Sequence, residues 1–418
     1  MKDHVDSETV NHMSRGGTPN QTAYGVRNDV PANLRSLLSL ADFELAARKI
    51  LPRPLFGYIA GAAEDGSSHA ANRAAFERLK FHPRVLVDVS RRSQAVTIFG
   101  KTYASPFGIA PIGISAISAY RGDVVLAMAA KEENIPAIMS GSSLIPMETV
   151  RSAAPDTWFQ AYLPGDTARI DALIDRVKIA GFSTLVLTVD IPVWANRENN
   201  VRTGFSLPLR PSLRLAIDGI SRPKWLAGTF LRTLMNHGMP HFENSFATRG
   251  APMLSATAIR DTTGRDHLSW VDIERIRRRW SGNLVIKGIL HVDDAKRATS
   301  IGADGIIVSN HGGRQLDGAV EPLSVLPQIS EAIGHKIVVM MDSGIRRGGD
   351  VLKALALGAH FVFVGRPFMY AAAVGGAPGV RHAISLLRDE VDRDMAMLGT
   401  SSVAQLRGTV IGSRAGGE

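Results

Sequence analysis

His311 stands in the run Ser309-Asn310-His311-Gly312-Gly313-Arg314, and that run holds the richest chemistry in the chain. An imidazole titrates near neutrality, so it is the natural acceptor of a proton from a substrate. The task needs an orienting carboxylate on the other ring nitrogen, and Asp190 is the candidate. Arg314 offers a planar fork to a carboxylate, and Arg197 offers a second. A single histidine is more often structural, but the flanking Asn310, glycines and arginine favour the catalytic reading. Lys287 could stabilise negative charge developing on a bound cofactor or substrate, or form a Schiff base; the residue type leaves both open. Tyr58 and Tyr162 could donate phenol hydrogen bonds to a substrate oxygen, or be partly buried structural tyrosines.

A second kind of chemistry sits further on. Ser343-Gly344-Ile345-Arg346-Arg347-Gly348-Gly349 and Gly365-Arg366-Pro367 combine glycines, whose backbone N–H groups can converge on an anion, with arginines that supply charge. Either these are phosphate loops or the glycines only cap tight turns. Their place in the fold favours phosphate.

That place follows from the elements that must carry these residues. Eight short apolar, β-branched runs read as strands: Phe107–Ala110, Ala137–Ser140, Trp158–Ala161, Thr184–Val189, Leu284–Lys287, Gly305–Ser309, Ile337–Asp342 and Phe361–Gly365. Amphipathic stretches lie between them, such as Asp123–Glu133, Thr167–Ala180, Val271–Trp280, Val292–Ile301 and Gly349–Leu357. Eight strands alternating with helices predict a (β/α)8 TIM barrel. An open doubly wound sheet usually begins with a glycine-rich strand–helix turn, and none follows the first strand. In a barrel the chemistry sits at the carboxyl ends of the strands, and all eight ends here carry polar groups or glycine. In order they are Pro111-Ile112-Gly113, Ser140, Gln160-Ala161-Tyr162, Thr188-Val189-Asp190, Lys287-Gly288, the His311 run, Asp342-Ser343-Gly344 and Gly365-Arg366. The loops after strands seven and eight are the usual phosphate site of such a barrel.

The rest of the chain frames this barrel. Residues 1–35 read as a flexible polar tail without the apolar core of a secretory signal, 36–400 as the barrel with its N-terminal extension, and 401–418 as a C-terminal tail. The extension predicts a helix at Ala41–Ile50 and a short hairpin around Ala95–Tyr103. Residues 199–265 form a long insertion after strand four, on the active-site side of the barrel.

Composition sets outer bounds. With 45% apolar and 21% charged residues among 418, the chain is an ordinary cored protein, and no apolar run is long enough to span a membrane. The absence of cysteine excludes disulfides, thiolate metal sites and cysteine nucleophiles. No metal is expected. Of the formal net charge of +9, most is local: 199–265 holds nine Lys/Arg against three acids. A charge confined to one insertion, with no aromatic-interleaved module, argues against nucleic acid as a partner.

The nine-residue string Ser309-Asn310-His311-Gly312-Gly313-Arg314-Gln315-Leu316-Asp317 resembles the active-site signature of the FMN-dependent 2-hydroxy-acid dehydrogenase and oxidase family. Leu187-Thr188-Val189-Asp190, Val285-Ile286-Lys287-Gly288, and Lys353 to Ala359 followed by Gly365-Arg366-Pro367 match it too, and the likeness runs from about Asp42 to about Gly399. It implies FMN as cofactor and a small 2-hydroxy acid as substrate. His311 would be the base, oriented by Asp190, with Arg314 and Arg197 on the substrate carboxylate and Tyr58 and Tyr162 touching the substrate. Lys287 would face the N1–C2=O edge of the flavin. Pro111, Ile112, Gly113, Ser140, Gln160, Thr188 and Ser309 would line the ring and ribityl chain, and Asp342, Gly344, Arg346, Gly365 and Arg366 the ribityl and phosphate end.

Departures from the family pattern sharpen these expectations. Gly113 stands where oxidases of the family often have alanine, which points to a dehydrogenase passing electrons to an acceptor such as a quinone; a peroxide-producing oxidase is the alternative. Ser142 replaces a bulky tryptophan of glycolate oxidase, implying room for larger, lactate- or mandelate-like side chains. Ile112 and Ser343 replace residues more often threonine or valine, and glycine. Residues 216–226 resemble the membrane-facing insertion of the lactate and mandelate dehydrogenases. There Leu213, Leu215, Ile217, Trp225, Leu226, Phe230, Leu231 and Leu234 interleave with arginines, as an anchor on an anionic bilayer would. A mobile lid is the other reading of that segment. The resemblance also implies a tetramer, and a cytoplasmic protein held at the inner face of the membrane.

Overall fold

The computed structural model describes residues 30–256, 265–407 and 409–412. Eight strands form the centre: β1 (Phe107–Ile109), β2 (Ile138–Ser140), β3 (Trp158–Ala161), β4 (Thr184–Thr188), β5 (Asn283–Ile289), β6 (Gly305–Val308), β7 (Val338–Met341) and β8 (Phe361–Val364). Each of β2 to β8 pairs in parallel with the next, and β8 pairs with β1. A bridge from Ile109 to Ala137 closes the ring, with the Ile109 N–H donating to the Pro136 carbonyl at 2.9 Å. The expected (β/α)8 barrel is the fold.

Side chains alternate across each strand and bury both faces. Trp158, Val186, Val285, Ile307, Met340, Phe361 and Phe363 fill the interior. Their neighbours Leu185, Leu187, Leu284, Ile286, Ile306, Val308, Met341 and Val362 point outward into the helical layer. The expected hairpin is real: Val96–Ile98 pairs with Lys101–Tyr103 around a Phe99-Gly100 turn, with φ +49° and +76°. Phe99 lies 5.4 Å from the Trp158 ring and Tyr103 6.1 Å from Phe361. The hairpin therefore stoppers the amino-terminal end of the barrel, leaving the carboxyl end for chemistry.

The extension supplies α1 (Leu40–Ile50), α2 (Arg53–Ala60) and α3 (Ser67–Arg78). Ser39 and Asp42 form a reciprocal capping box that starts α1. Proline at the second position starts α2. Of the expected N-terminal tail, residues 1–29 lie outside the described residues, whereas Leu34 is buried in a short 3₁₀ turn. Residues 401–418 were expected as a tail. Val403–Leu406 there forms a 3₁₀ turn, and Val410–Gly412 pairs antiparallel with Leu79–Phe81. A final helix, Arg366–Leu398, is kinked at Gly376 and packs along α1, where Phe43 meets His382 edge-on at 5.9 Å.

The insertion after β4 is largely helical: Glu198–Thr203, Leu213–Ile220, then Pro223–Trp225 running through a wide π-type turn into Arg232–His237. Its return limb is stapled to the loop after β2, where Asn244 accepts from the Met147 N–H at 2.9 Å and donates to the Ile145 carbonyl at 2.7 Å. Among the described residues no helix is long and apolar enough to cross a membrane, and no acidic or histidine cluster could hold a metal ion.

Candidate active site

The loop after β6 explains its own sequence. His311, Gly312 and Gly313 are consecutive left-handed residues, with φ of +58°, +68° and +73°. Glycine adopts that region freely, whereas at histidine it is strained and must be held. Ser309 Oγ accepts from the His311 N–H at 3.0 Å, Asn310 Oδ1 from the Gly313 N–H at 3.1 Å, and Ser343 Oγ from the Gly312 N–H at 3.0 Å. Asn310 is itself locked by reciprocal amide bonds to Asn72 of α3, at 2.8 and 2.9 Å. A Cβ on Gly313 would lie 2.5 Å from the backbone nitrogen of His69, so α3 packs directly under this turn.

The turn presents the His311 ring to the mouth of the barrel. Its Nδ1 lies 3.0 and 3.1 Å from the two carboxylate oxygens of Asp190, just past β4. Burial lowers the proton affinity of His311, Asp190 opposes this, and the charges of Lys287 and Arg197 reinforce it; the net shift is downward. Burial works against ionising Asp190, but His311 and Lys287 together hold its carboxyl below the usual range. The pair therefore rests as neutral imidazole beside carboxylate, with Nε2 left as proton acceptor. β5 has a bulge between Lys287 and Ile289, and its Gly288 (φ +108°) approaches so closely that a Cβ would sit 2.7 Å from Cβ of Asp190.

Arg314 and Arg197 reach the same cavity by different routes. Arg314 Nη1 donates to the Gly61 carbonyl at 2.6 Å, and its guanidinium lies 5.0 Å over the Tyr58 ring. Arg197 donates through Nε to the Arg314 carbonyl at 3.0 Å and through Nη2 to Gln315. Burial, then the charge of Arg314, pulls Arg197 down to about 10. Tyr58, on α2, stacks on Phe205 at 4.4 Å, and Tyr162 lies nearly parallel to the His311 ring at 6.5 Å. Burial, with Tyr58 and Asp190 nearby, raises the Tyr162 phenol, which stays a donor.

His311, Arg314, Arg197, Tyr58 and Tyr162, with Pro111, Ile112, Gly113, Lys287, Asp342, Gly344, Arg346, Gly365 and Arg366, line one cavity of about 1130 Å³, counting its open mouth, while Asp190 stands behind His311. Ser140, Gln160, Thr188 and Ser309 lie just behind that surface and are buried. The residues fit a flavin mononucleotide. Gln160 Nε2 and Thr188 Oγ1 are buried polar atoms without a hydrogen-bond partner, at the ends of the adjacent strands β3 and β4, where a polar ring edge would satisfy them. Lys287 Nζ lies 2.8 Å from Asp342 and donates to Ser309 Oγ at 2.7 Å, so it is a fixed cation rather than a free amine.

At the other end, Arg366 opens the last helix and donates to the carbonyls of Ile59, Gly61 and Gly312 at 2.9 to 3.0 Å. Burial, then Arg314 and Arg346, lowers it to about 9, as expected where buried cations gather. Burial lowers Arg346 as well. Gly344 (φ +83°) lets the loop pass α3, since a Cβ there would meet the Asn72 carbonyl at 2.6 Å. Ser343 also adopts a positive φ, +80°, and its hydroxyl holds the strained turn by donating to Asp342 at 2.9 Å.

Other residues at the site carried little signal in the sequence. Ile191, Trp194 and Leu207 form an apolar wall, and Arg265 comes from the far end of the insertion. Their positions depend on how the insertion folds back, which no local spacing shows. Asp317, part of the nine-residue string, stays outside the cavity: it accepts from the Ser67 hydroxyl at 2.7 Å and the Ser68 N–H at 2.8 Å, tying α3 to the loop. Trp225, expected among the membrane-facing anchors, is instead buried, stacked on Phe230 at 5.4 Å and donating to the Ile117 carbonyl at 2.7 Å. A buried indole N–H needs an acceptor, and the barrel offers one.

Comparison with known proteins shows the family of the chain. Residues 47–413 match the family model described as FMN-dependent dehydrogenase. The chain is 38% identical over 379 residues to an L-lactate dehydrogenase of Xanthomonas campestris pv. campestris, covering 89% of this chain and 96% of that protein. It is 35% identical over 374 residues to the (S)-mandelate dehydrogenase of Pseudomonas putida, covering 89% and 93%. Among solved structures, the monotopic membrane protein (S)-mandelate dehydrogenase superposes with a TM-score of 0.82 at 33% identity, over 90% of this chain and all of that one. A mandelate oxidase variant bound to 2-hydroxy-phenylacetamide superposes with a TM-score of 0.75 at 35% identity, over 89% and 98%. The chain belongs to the FMN-dependent dehydrogenase family, and is an oxidoreductase that uses FMN to act on a CH–OH group.

Proposed function

We propose that this enzyme oxidises an L-2-hydroxy acid, lactate- or mandelate-like at its reacting end, to the 2-oxo acid and passes the electrons to a quinone-type acceptor. The observation that carries this reading is the convergence of the Asp190–His311 pair with Arg197 and Arg314 on one cavity. Bound FMN would supply an electron-pair acceptor. Arg197 and Arg314 would fix the substrate carboxylate, Tyr58 and Tyr162 its oxygens, and His311 Nε2 would take the substrate's proton while Asp190 stabilises the imidazolium. Pro111 to Gly113, Ser140, Gln160, Thr188, Lys287 and Ser309 would hold the ring, and Asp342, Gly344, Arg346, Gly365 and Arg366 the ribityl phosphate. Lys287, beside the ring edge, would stabilise charge arriving there.

Gly113 supports the dehydrogenase reading over a peroxide-forming oxidase. Anaerobic addition of lactate or mandelate should bleach the yellow enzyme, with slow recovery in air and fast recovery with a soluble quinone. Peroxide released at the turnover rate would establish the oxidase instead.

The insertion supports a peripheral membrane position. Leu213, Ile217, Ile220, Leu231 and Met235 are exposed, at 42 to 79%, beside exposed Arg210, Arg214, Lys224 and Arg232. Apolar anchors among cations bind anionic bilayers. Co-sedimentation with phosphatidylglycerol vesicles, weaker with phosphatidylcholine, is expected; equal absence from both would leave the segment a lid.

A further inference from the structure

The cavity lined by Arg197 and Arg314 holds a further guanidinium beside Tyr162. Arg265, from the return limb of the insertion, lines the same cavity as His311, Arg197 and Arg314, and its Cζ lies 5.8 Å over the ring of Tyr162. Tyr162 in turn lies nearly parallel to the His311 ring, so Arg265 and the expected base share that phenol as a neighbour. The neighbouring wall is apolar, formed by Ile112, Ile191, Trp194 and Leu207. A planar cation beside an apolar wall reads two features at once: a short hydrocarbon stem and an anion at its end.

Cations are plentiful along the cavity as a whole. Arg197, Arg265, Lys287, Arg314, Arg346 and Arg366 line it, with Asp342 in the wall and Asp190 behind His311. A bound phosphate brings a charge of about −1.5 to −2. Asp342, Asp190 and, around Arg346 and Arg366, Glu44 and Asp350 offset part of the positive charge of the wall. Like charges gathered in a partly desolvated site favour the ligand that neutralises them.

We infer that Arg265 is a specificity residue, and that the preferred substrate is a 2-hydroxy acid whose side chain ends in a second carboxylate. This rests on the function proposed above and narrows its substrate class. The α-carboxylate is held by Arg197 and Arg314, the hydroxyl faces His311, and the distal carboxylate meets Arg265 across the apolar wall.

The test uses the FMN-loaded enzyme and matched pairs: 2-hydroxysuccinate, 2-hydroxyglutarate and 2-hydroxyadipate, each against the monocarboxylic 2-hydroxy acid of equal chain length. At least one diacid should exceed its partner in kcat/KM for anaerobic flavin reduction. Arg265→Met should lower that ratio by about 10- to 100-fold, the worth of one charge-assisted hydrogen bond, and Arg265→Lys should restore part of it. Without turnover, the Kd of the 2-oxo diacid, read from perturbation of the flavin absorbance, should weaken by a similar factor in Arg265→Met. A purely structural Arg265 would depress diacid and monoacid alike and leave the ratio unmoved, which overturns the inference. So would lactate or mandelate outrunning every diacid in the unaltered protein. If no 2-hydroxy acid of either kind bleaches the flavin, the proposed function itself fails.

Discussion

Asp190 offers both carboxylate oxygens to one nitrogen of His311, at 3.0 and 3.1 Å, from a strand end two barrel positions away. That contact fixes which nitrogen stays open toward the cavity. Because burial outweighs the carboxylate and lowers the imidazole below its ordinary 6.5, His311 is neutral across the neutral range. The role proposed for it, as base, needs the neutral form. kcat/KM should therefore be level from neutral pH down past 6.5 and fall only below it, as the ring protonates. A pH profile of anaerobic flavin reduction checks this, and an acid limb lying above 6.5 would contradict the assigned electrostatics.

Asp190 is itself placed by the bulge at Gly288. Gly288→Ala would combine a forbidden φ with a Cβ 2.7 Å from Cβ of Asp190, forcing the carboxylate off the imidazole. The expected outcome is a loss of kcat of about 10- to 100-fold. FMN content, measured by absorbance per chain, should stay near that of the unaltered enzyme.

Arg366 should behave in the opposite way. Its guanidinium belongs to the buried cation cluster with Arg314 and Arg346. With the phosphate role proposed for it, Arg366→Ala would remove one charge-assisted contact, worth about 1.5–3 kcal/mol. The Kd for FMN, from fluorescence titration of the apoprotein, should weaken about 10- to 100-fold.

His69 gives a stability prediction. It packs under Gly312 and Gly313, and burial, with Arg366 the next cause, lowers it from 6.5 to about 4. Between those values the unfolded chain takes up a proton that the folded one refuses, so stability falls as pH drops through that window and levels off below it. The whole span is worth at most about 3 kcal/mol. Thermal midpoints of the apoprotein across the window should decline, and His69→Leu should flatten that part of the decline.

Much of this was legible in the sequence because strand ends are local. Each of the eight predicted strands overlaps a barrel strand, and His311, Lys287 and Arg366 each follow an apolar run closely enough to be placed at its mouth. Strain was legible only in part: Gly312 and Gly313 announced a turn, whereas Ser343 at φ +80° was marked only through the resemblance, as a residue standing where glycine is frequent. Long-range returns were not legible. Trp225 looked like a surface anchor because nothing nearby reveals the Ile117 carbonyl that takes its N–H. Arg265 lies far along the chain from Tyr162 and meets it only after the insertion folds back. The pairing of Val410–Gly412 with Leu79–Phe81 joins opposite ends of the chain, and three residues of ordinary strand type do not advertise a partner.

The role of His311 is tested most directly by rapid mixing of FMN-loaded His311→Gln with a 2-hydroxy acid in the absence of oxygen. The variant should stay yellow, hold its flavin as tightly as the unaltered enzyme, and be reduced about 10²- to 10⁴-fold more slowly, since only the proton acceptor is gone. Bleaching at the unaltered rate would contradict the assignment of His311 as the base.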